Sequence, residues 1–311
     1  MSALSWNCRG LRNPLTVKTL QKIIKEEDPT LVFLIETKLK VTELEGVKRK
    51  IERQHGLVVP SQNRGGGLAL LWKNTLSVDP LTLSPWHIDV IVNEEDGKRR
   101  WRFTGFYGNP ETSKRDESWA LIKNLGSKCE LPWVIIGDFN ELLHANEKEG
   151  GNVRPEGQMK VFRDAIDSCE LREMGYSGSD FTWSRRLGAR GWICERLDRA
   201  FVLTNWAAMF PTSKLFHVAN SVSDHCILIL KSANPARKRR KKSKLFRFES
   251  MWLRDEGCSG VVNDAWDRGR IRGTDWPLLH CLEECRTSLS KWNKHSFGHV
   301  GKQIAVLQKK L

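Results

Sequence analysis

The run Trp133-Val134-Ile135-Ile136-Gly137-Asp138-Phe139-Asn140 is an apolar strand that stops at a glycine and then presents a carboxylate and an amide two residues apart. Alternation along a strand puts Asp138 and Asn140 on one side, where both can face a single cleft. In open α/β sheets the carboxyl ends of strands are where ligands bind. A plain turn accounts for the same Gly-Asp-x-Asn tetrapeptide, because Gly, Asp and Asn are ordinary turn residues. Two other apolar runs end in a similar way: Glu36 closes Leu31-Val32-Phe33-Leu34-Ile35, and Asn7 follows Leu4-Ser5-Trp6. A hard cation such as Mg²⁺ prefers carboxylate oxygen and tolerates an amide oxygen or water beside it. Taken singly, a solvated strand-end Glu and a turn Asn explain these two positions better than a metal does.

His225 stands at the start of a strand, where a lone His is more often a surface or satisfied core residue. Ser223-Asp224-His225 precedes the apolar run Cys226 to Leu230, and Arg196-Leu197-Asp198-Arg199-Ala200-Phe201 supplies an acid on another strand. A carboxylate beside an imidazole holds it in its protonated, donor form, provided that the fold gathers the two. Gly65-Gly66-Gly67 also precedes a strand, but no Lys-Ser or Lys-Thr follows, which excludes a nucleotide-binding P-loop.

The first 230 residues alternate short apolar runs with amphipathic stretches, the pattern of an α/β protein. Strands are predicted over 31–37, 66–72, 87–93, 100–107 and 133–138. Val17, Leu20, Ile23 and Ile24 recur at helical spacing after Pro14, and Trp119, Leu121, Ile122 and Leu125 do so after Ser113. Shorter runs at 181–184, 196–202, 214–218 and 226–230 predict a second sheet of more antiparallel character, hence two packed sheets with outer helices. After Lys231 the composition changes to Ser232-Ala233-Asn234-Pro235-Ala236 and then Arg237-Lys238-Arg239-Arg240-Lys241-Lys242, a basic linker over 231–248. Over 249–311, Leu278, Leu279, Leu282, Cys285, Leu289 and Trp292 repeat at three and four, and Ile304, Leu307 and Leu311 follow Gly298. This predicts helices with an apolar face. The pattern is still running at Leu311, which raises the expectation of a fragment.

The chain of 311 residues is 40% hydrophobic with 13 Trp, a globular composition. No stretch reaches the roughly 18 consecutive apolar residues of a membrane span, and no basic segment followed by an apolar run opens the chain. A soluble, intracellular protein is expected. Eight Cys, at 8, 129, 169, 194, 226, 258, 281 and 285, lack the CxxC spacings of structural zinc. Cys281 and Cys285 share a helix face and are expected to pack there. The net charge is +14, and residues 231–311 hold 19 Lys and Arg against 8 Asp and Glu, leaving 32 against 29 before them. The excess lies in the tail, where a concentrated basic surface attracts polyanions.

In order along the chain, Asn7, Glu36, Tyr107 in Gly105-Phe106-Tyr107-Gly108, Gly137-Asp138-Phe139-Asn140, Arg196-Leu197-Asp198 and Ser223-Asp224-His225 fall on successive strands. Over about residues 3–230 this series resembles the endonuclease/exonuclease/phosphatase superfamily, specifically the apurinic-type endonuclease domain of LINE-type (non-LTR) retrotransposons. Phe181-Thr182-Trp183 and Gly65-Gly66-Gly67 are similar to that family as well, whereas Arg12 stands where its plant members carry Gly. The resemblance implies a four-layer α/β sandwich, two packed mixed β-sheets flanked by helices, over 1–230, with a basic helical C-terminal tail. It implies DNA as partner, no membrane, and Mg²⁺ as the only cofactor, with Mn²⁺ as a substitute. Glu36 would coordinate the metal with help from Asn7, and Asp224 would sit in the metal and phosphate neighbourhood. Asp138 would orient or deprotonate the attacking water, while Asn140 held it or the phosphate. Tyr107 would contact a phosphate oxygen, and His225, positioned by Asp198, would stabilise charge at phosphorus. Lys291-Trp292-Asn293-Lys294 with Phe297-Gly298 resembles the connector that precedes reverse transcriptase in plant elements, but no aromatic-x-Asp-Asp polymerase motif is present.

The run Arg237, Lys238, Arg239, Arg240, Lys241, Lys242 has three readings: a solvated linker, a nuclear localisation signal, or an arm that tracks phosphates. The leading expectation is a nuclear, metal-dependent enzyme that nicks DNA. Its rivals are a catalytically silent, transposon-derived module that binds nucleic acid, and a phosphatase or phosphodiesterase of the same fold acting on inositol phosphates or sphingomyelin. The basic tail and the Trp-Asn connector disfavour the last.

Overall fold

The computed structural model describes residues 1–61, 65–94, 97, 99–186, 188, 191–232, 248, 250–271 and 277–296. The basic run Arg237 to Lys242 and the stripe residues Ile304, Leu307 and Leu311 lie outside the described residues. The chain divides into two compact units, Met1–Ala236 and Arg237–Leu311.

Apolar runs too long to alternate with polar residues need cover on both faces, and the first unit supplies it with two mixed sheets. The seven-stranded sheet runs β11 (Tyr176–Gly178), β15 (Ser213–Val218), β16 (Ile227–Ser232), β1 (Ser2–Asn7), β2 (Leu31–Ile35), β4 (Leu68–Trp72), β3 (His55–Val59). The six-stranded sheet runs β10 (Arg172–Glu173), β14 (Asp198–Val202), β8 (Trp133–Asp138), β7 (Arg100–Tyr107), β6 (His87–Glu94), β5 (Leu76–Ser84). A small third sheet joins β12 (Trp183–Arg186), β13 (Trp192–Glu195) and β9 (Lys148–Glu149).

The two-residue period of a strand sorts side chains between layers. In β2, Leu31, Phe33 and Ile35 enter the core between the sheets, while Val32 and Leu34 face outward. There they meet Leu20, Ile23 and Ile24 of α1 (Pro14–Glu27) and Leu44 and Val47 of α2 (Val41–Lys50). In β8, Val134 and Ile136 point inward. Trp133 and Ile135 pack outward on Trp119 and Ile122 of α3 (Arg115–Gly126) and Phe162 and Ile166 of α4 (Glu156–Asp167). Helices, sheet, sheet, helices: four layers result, as the sequence led us to expect.

The later runs do not build a sheet of their own. β14 pairs antiparallel with β8, and β16 with β1, so each sheet mixes early and late strands. The physical reason is burial. β8 is buried throughout and β1 nearly so, and a buried strand must find backbone partners on both sides.

In the second unit, α5 (Glu256–Ile271) and α6 (Pro277–Ser296) bury Cys258 and Leu289 with Trp252. The Cys281 and Cys285 thiols are buried and directed at the carbonyls of Trp266 and Val262, the packing role expected of them. No helix among the described residues is long and apolar enough to cross a membrane.

Candidate active site

Register brings the chemistry-bearing strand ends together. β1 and β2 run parallel with Asn7 opposite Ile35, so Asn7 and Glu36 emerge at the same end. β7 and β8 run parallel with Tyr107 opposite Asp138, and antiparallel β14 sets Asp198 opposite Asp138. His225 arrives just before β16, bridged to Trp183. The structure thus gathers Asn7, Glu36, Tyr107, Asp138, Asn140, Asp198, Asp224 and His225 at one end of the first unit.

At the centre Asn7 Nδ2 donates to Asp138 Oδ2 at 2.9 Å, and Asp138 Oδ1 accepts the Asn140 backbone N–H at 3.0 Å. His225 Nδ1 lies 3.0 Å from Asp198 Oδ2 and 3.8 Å from Asp138 Oδ2, while Nε2 lies 3.5 Å from Asn7 Nδ2. All four side chains are buried. Burial pushes the Asp138 carboxyl up to about 7, with His225 pulling it down and Asp198 pushing it further up. Burial would lower the His225 imidazole, but Asp198 and Asp138 raise it to about 9, so it stays charged at neutral pH. Nδ1–H then donates to Asp198.

Asn140 reaches this cluster by another route than strand alternation. β8 ends at Asp138, Phe139 enters the outer core, and Asn140 turns back at φ +55. Its Nδ2 donates to the Gly108 carbonyl at 2.8 Å. The turn and the approach to Asp138 are one feature. Gly108 is required there, since a Cβ on it would stand 2.2 Å from the Phe139 carbonyl oxygen.

Glu36 sits at φ +52 just past β2. Its Oε1 accepts from Tyr107 Oη at 2.8 Å and lies 3.3 Å from Arg9 Nη1, and its Oε2 lies 3.3 Å from Lys38 Nζ. Burial would raise this carboxyl, yet Arg9, the Tyr107 hydrogen bond and Lys38 together hold it below the usual carboxylate range. The Tyr107 phenol is pushed up by burial and by Glu36, so it remains a donor. Asp224 Oδ1 lies 3.2 Å from Arg9 Nε, and Oδ2 accepts from Trp183 Nε1 at 3.0 Å. A cleft of about 390 Å³ opens beside Glu36, lined by Lys38, Gly66, Gly67, Trp86, Tyr107 and Pro110 among others.

Two sets of groups offer ligand atoms. Asp138, Asp198 and His225 have theirs within 4.8 Å of one another, but His225 is bonded to Asp198, and Asp138 accepts from Asn7 and the Asn140 N–H. Glu36 and Asp224 offer hard oxygens whose charge is balanced by Arg9 and Lys38. That oxygen set fits a divalent ion.

Several positions escaped sequence reasoning. Thr182 Oγ1 accepts the backbone N–H groups of Leu197 and Asp198 at 3.0 and 2.9 Å, fixing the start of β14. Ser223 Oγ donates to the Asn7 carbonyl at 2.8 Å. Gly67 accepts the Thr37 N–H at 3.0 Å, and a Cβ there would meet Thr37 Oγ1 at 2.6 Å, so the triple glycine shapes the backbone beside Glu36. Glu147 pairs with both Arg196 and Arg199, which flank Asp198, and those guanidiniums help to hold its carboxyl down to about 2 despite burial. The Phe-Thr-Trp, Gly-Gly-Gly, Ser-Asp-His and Arg-Leu-Asp-Arg strings were the visible signals of these, and Glu147 had none.

Residues 4–225 match the model of the Endonuclease/Exonuclease/phosphatase family. No curated protein matches the chain. Among solved structures, the endonuclease domain of TRAS1, a telomere-specific non-LTR retrotransposon, gives TM-score 0.56 at 11% identity, covering 75% of this chain and 99% of that one. A 3′-5′ exonuclease, NExo, from Neisseria meningitidis gives 0.57 at 16%, covering 75% and 99%. The AP endonuclease LMAP from Leishmania major gives 0.58 at 15%, covering 75% and 88%. These likenesses speak for the fold.

Proposed function

We propose, on the premise that the chain belongs to the Endonuclease/Exonuclease/phosphatase family, that residues 1–230 hydrolyse phosphodiester bonds in DNA as a metal-dependent nicking endonuclease of retrotransposon type. The carrying observation is the pair of buried bonds Asn7–Asp138 and Asp198–His225, set beside a Glu36 carboxylate balanced by two cations. The structural neighbours named for DNA cleavage favour DNA over a small phosphorylated substrate.

Glu36 and Asp224, with the Asn7 amide oxygen, would hold Mg²⁺, and Mn²⁺ in its place. When bound, that ion supplies positive charge to phosphate oxygens and acidifies water. Asp138, held by Asn7 and the Asn140 N–H, takes a proton from the attacking water. As the water oxygen bonds to phosphorus, the bond to the departing sugar oxygen breaks. His225, kept charged by Asp198, donates toward the phosphate oxygens as their charge grows. Asn140 accepts from the water through Oδ1 or donates its second Nδ2 hydrogen to the phosphate, and Tyr107 acts mainly by fixing Glu36. In the tail, 231–248 serves as a basic linker and 249–311 as a helical connector. The arm Arg237 to Lys242 tracks phosphates and fits a nuclear address.

A supercoiled-plasmid nicking assay with Mg²⁺ or EDTA tests this. Cutting should require the metal and fall at least ~10²-fold in Asp138→Ala or His225→Ala. Full cutting by the pure double variant refutes the site. DNA binding without cutting under either metal makes the chain a silent nucleic-acid-binding remnant.

A further inference from the structure

Arg9 has no part in the steps above, yet its placement is unusual. It adopts φ +54 and is followed by Gly10 at φ +123, a backbone region that residues with a Cβ avoid. Its N–H is tied to Asn7 Oδ1 at 3.3 Å. From this kink one guanidinium spans two carboxylates remote in sequence, with Nη1 3.3 Å from Glu36 Oε1 and Nε 3.2 Å from Asp224 Oδ1. Asp224 Oδ1 is buried and makes no hydrogen bond, so its lone pairs have only that ionic neighbour among the contacts described. Lys38 Nζ covers the other oxygen of Glu36 at 3.3 Å. Two acids and two cations sum to zero charge, so an incoming divalent ion meets a neutral cluster rather than one of charge −2. The Arg9 side chain is 47% exposed and can swing out without repacking the core.

We infer that Arg9 is a displaceable counter-ion: a divalent cation binding at Glu36 and Asp224 competes with its guanidinium for the same two oxygens and expels it. The inference rests on the reading of Glu36 and Asp224 as metal-holding groups. Its first consequence is a site that stays assembled without metal, because Arg9 bridges the two acids meanwhile. The second is a metal affinity held down by the chain itself. The third is a positive charge released at the mouth of the site only when metal is present. By reciprocity, an anion that engages the freed guanidinium tightens metal binding.

The test is calorimetric titration of Mg²⁺ alone into the full chain, without nucleic acid. Arg9→Gln should bind Mg²⁺ roughly fivefold more tightly than the wild type, the modest gain fitting a half-exposed ion pair. Arg9→Lys, which keeps the charge on a shorter and non-bidentate group, should fall between them. Melting curves give an independent readout: Arg9→Gln should melt earlier in EDTA and gain more on adding Mg²⁺. Equal or weaker affinity in Arg9→Gln overturns the inference. If that variant does not fold, wild-type affinity in Arg9→Lys overturns it. Loss of binding in Glu36→Gln with no gain in either Arg9 variant sinks this inference alone. Absence of Mg²⁺ binding by the wild type and both Arg9 variants sinks it together with the metal site.

Discussion

Asp138 and His225 titrate as partners in one buried neighbourhood, and the direction of each shift sets a pH dependence. Asp138 must lose its proton to accept one from water, and its carboxyl is raised to about 7, so the rate should climb through neutrality. His225 must keep its proton to donate, and its imidazole is raised to about 9, so the rate should fall above that. A bell between those limits is expected from steady-state rates across pH. Asp198→Asn removes the largest influence raising His225. The alkaline limb should then move toward neutrality while the acid limb does not rise, and an unmoved alkaline limb would take His225 out of the reaction.

Elements carry these residues only if their ends are fixed, and Glu147 is the fixing point for β14. It pairs with Arg196 and with the fully buried Arg199, and also accepts the N–H groups of Leu143 and His144 at 2.7 and 3.2 Å. Glu147→Ala leaves the buried Arg199 with Glu173 and the Arg196 carbonyl as remaining partners, so it should lower the unfolding free energy by about 1–3 kcal/mol in chemical denaturation. Gly67→Ala should act more locally. It presses on Thr37 and forces strain at φ +89, so weaker Mg²⁺ binding with a nearly unchanged denaturation midpoint is expected. What the sequence disclosed follows the same physics. Strands buried on both faces, such as β2 and β8, read as continuous apolar runs, and each ended on a group with chemistry. β5 did not read so, because it lies at a sheet edge with exposed residues and an irregularity after Pro80. α2 was missed because Val-Thr-Glu-Leu-Glu-Gly-Val has few apolar positions and an interior glycine. Arg9 and Lys38 act through backbone turns and long-range pairing, which no local pattern announces.

At the scale of the molecule, the first unit is compact through Ala236 and contains every group gathered at the site. A chain of residues 1–236 should therefore fold and retain metal-dependent cutting. If the six basic residues at 237–242 contact phosphate, their removal should flatten the dependence of log affinity on log salt by up to about 5, near 0.9 per phosphate neutralised. Binding curves at several salt concentrations would read that slope, and identical slopes with and without the tail would exclude the arm. The pairing of β1 with β16 carries a consequence of a different kind. Ser2 lies opposite Lys231, and His225 stands two residues before β16 begins at Ile227. On the ribosome the first strand made thus waits for the last, holding an open edge that invites wrong partners. The imidazole comes off the ribosome in the same final stretch that closes the sheet. A chain that ends before β16 can neither close this sheet nor set the His225 imidazole in place, so acquiring the fold and acquiring the proposed activity are a single event.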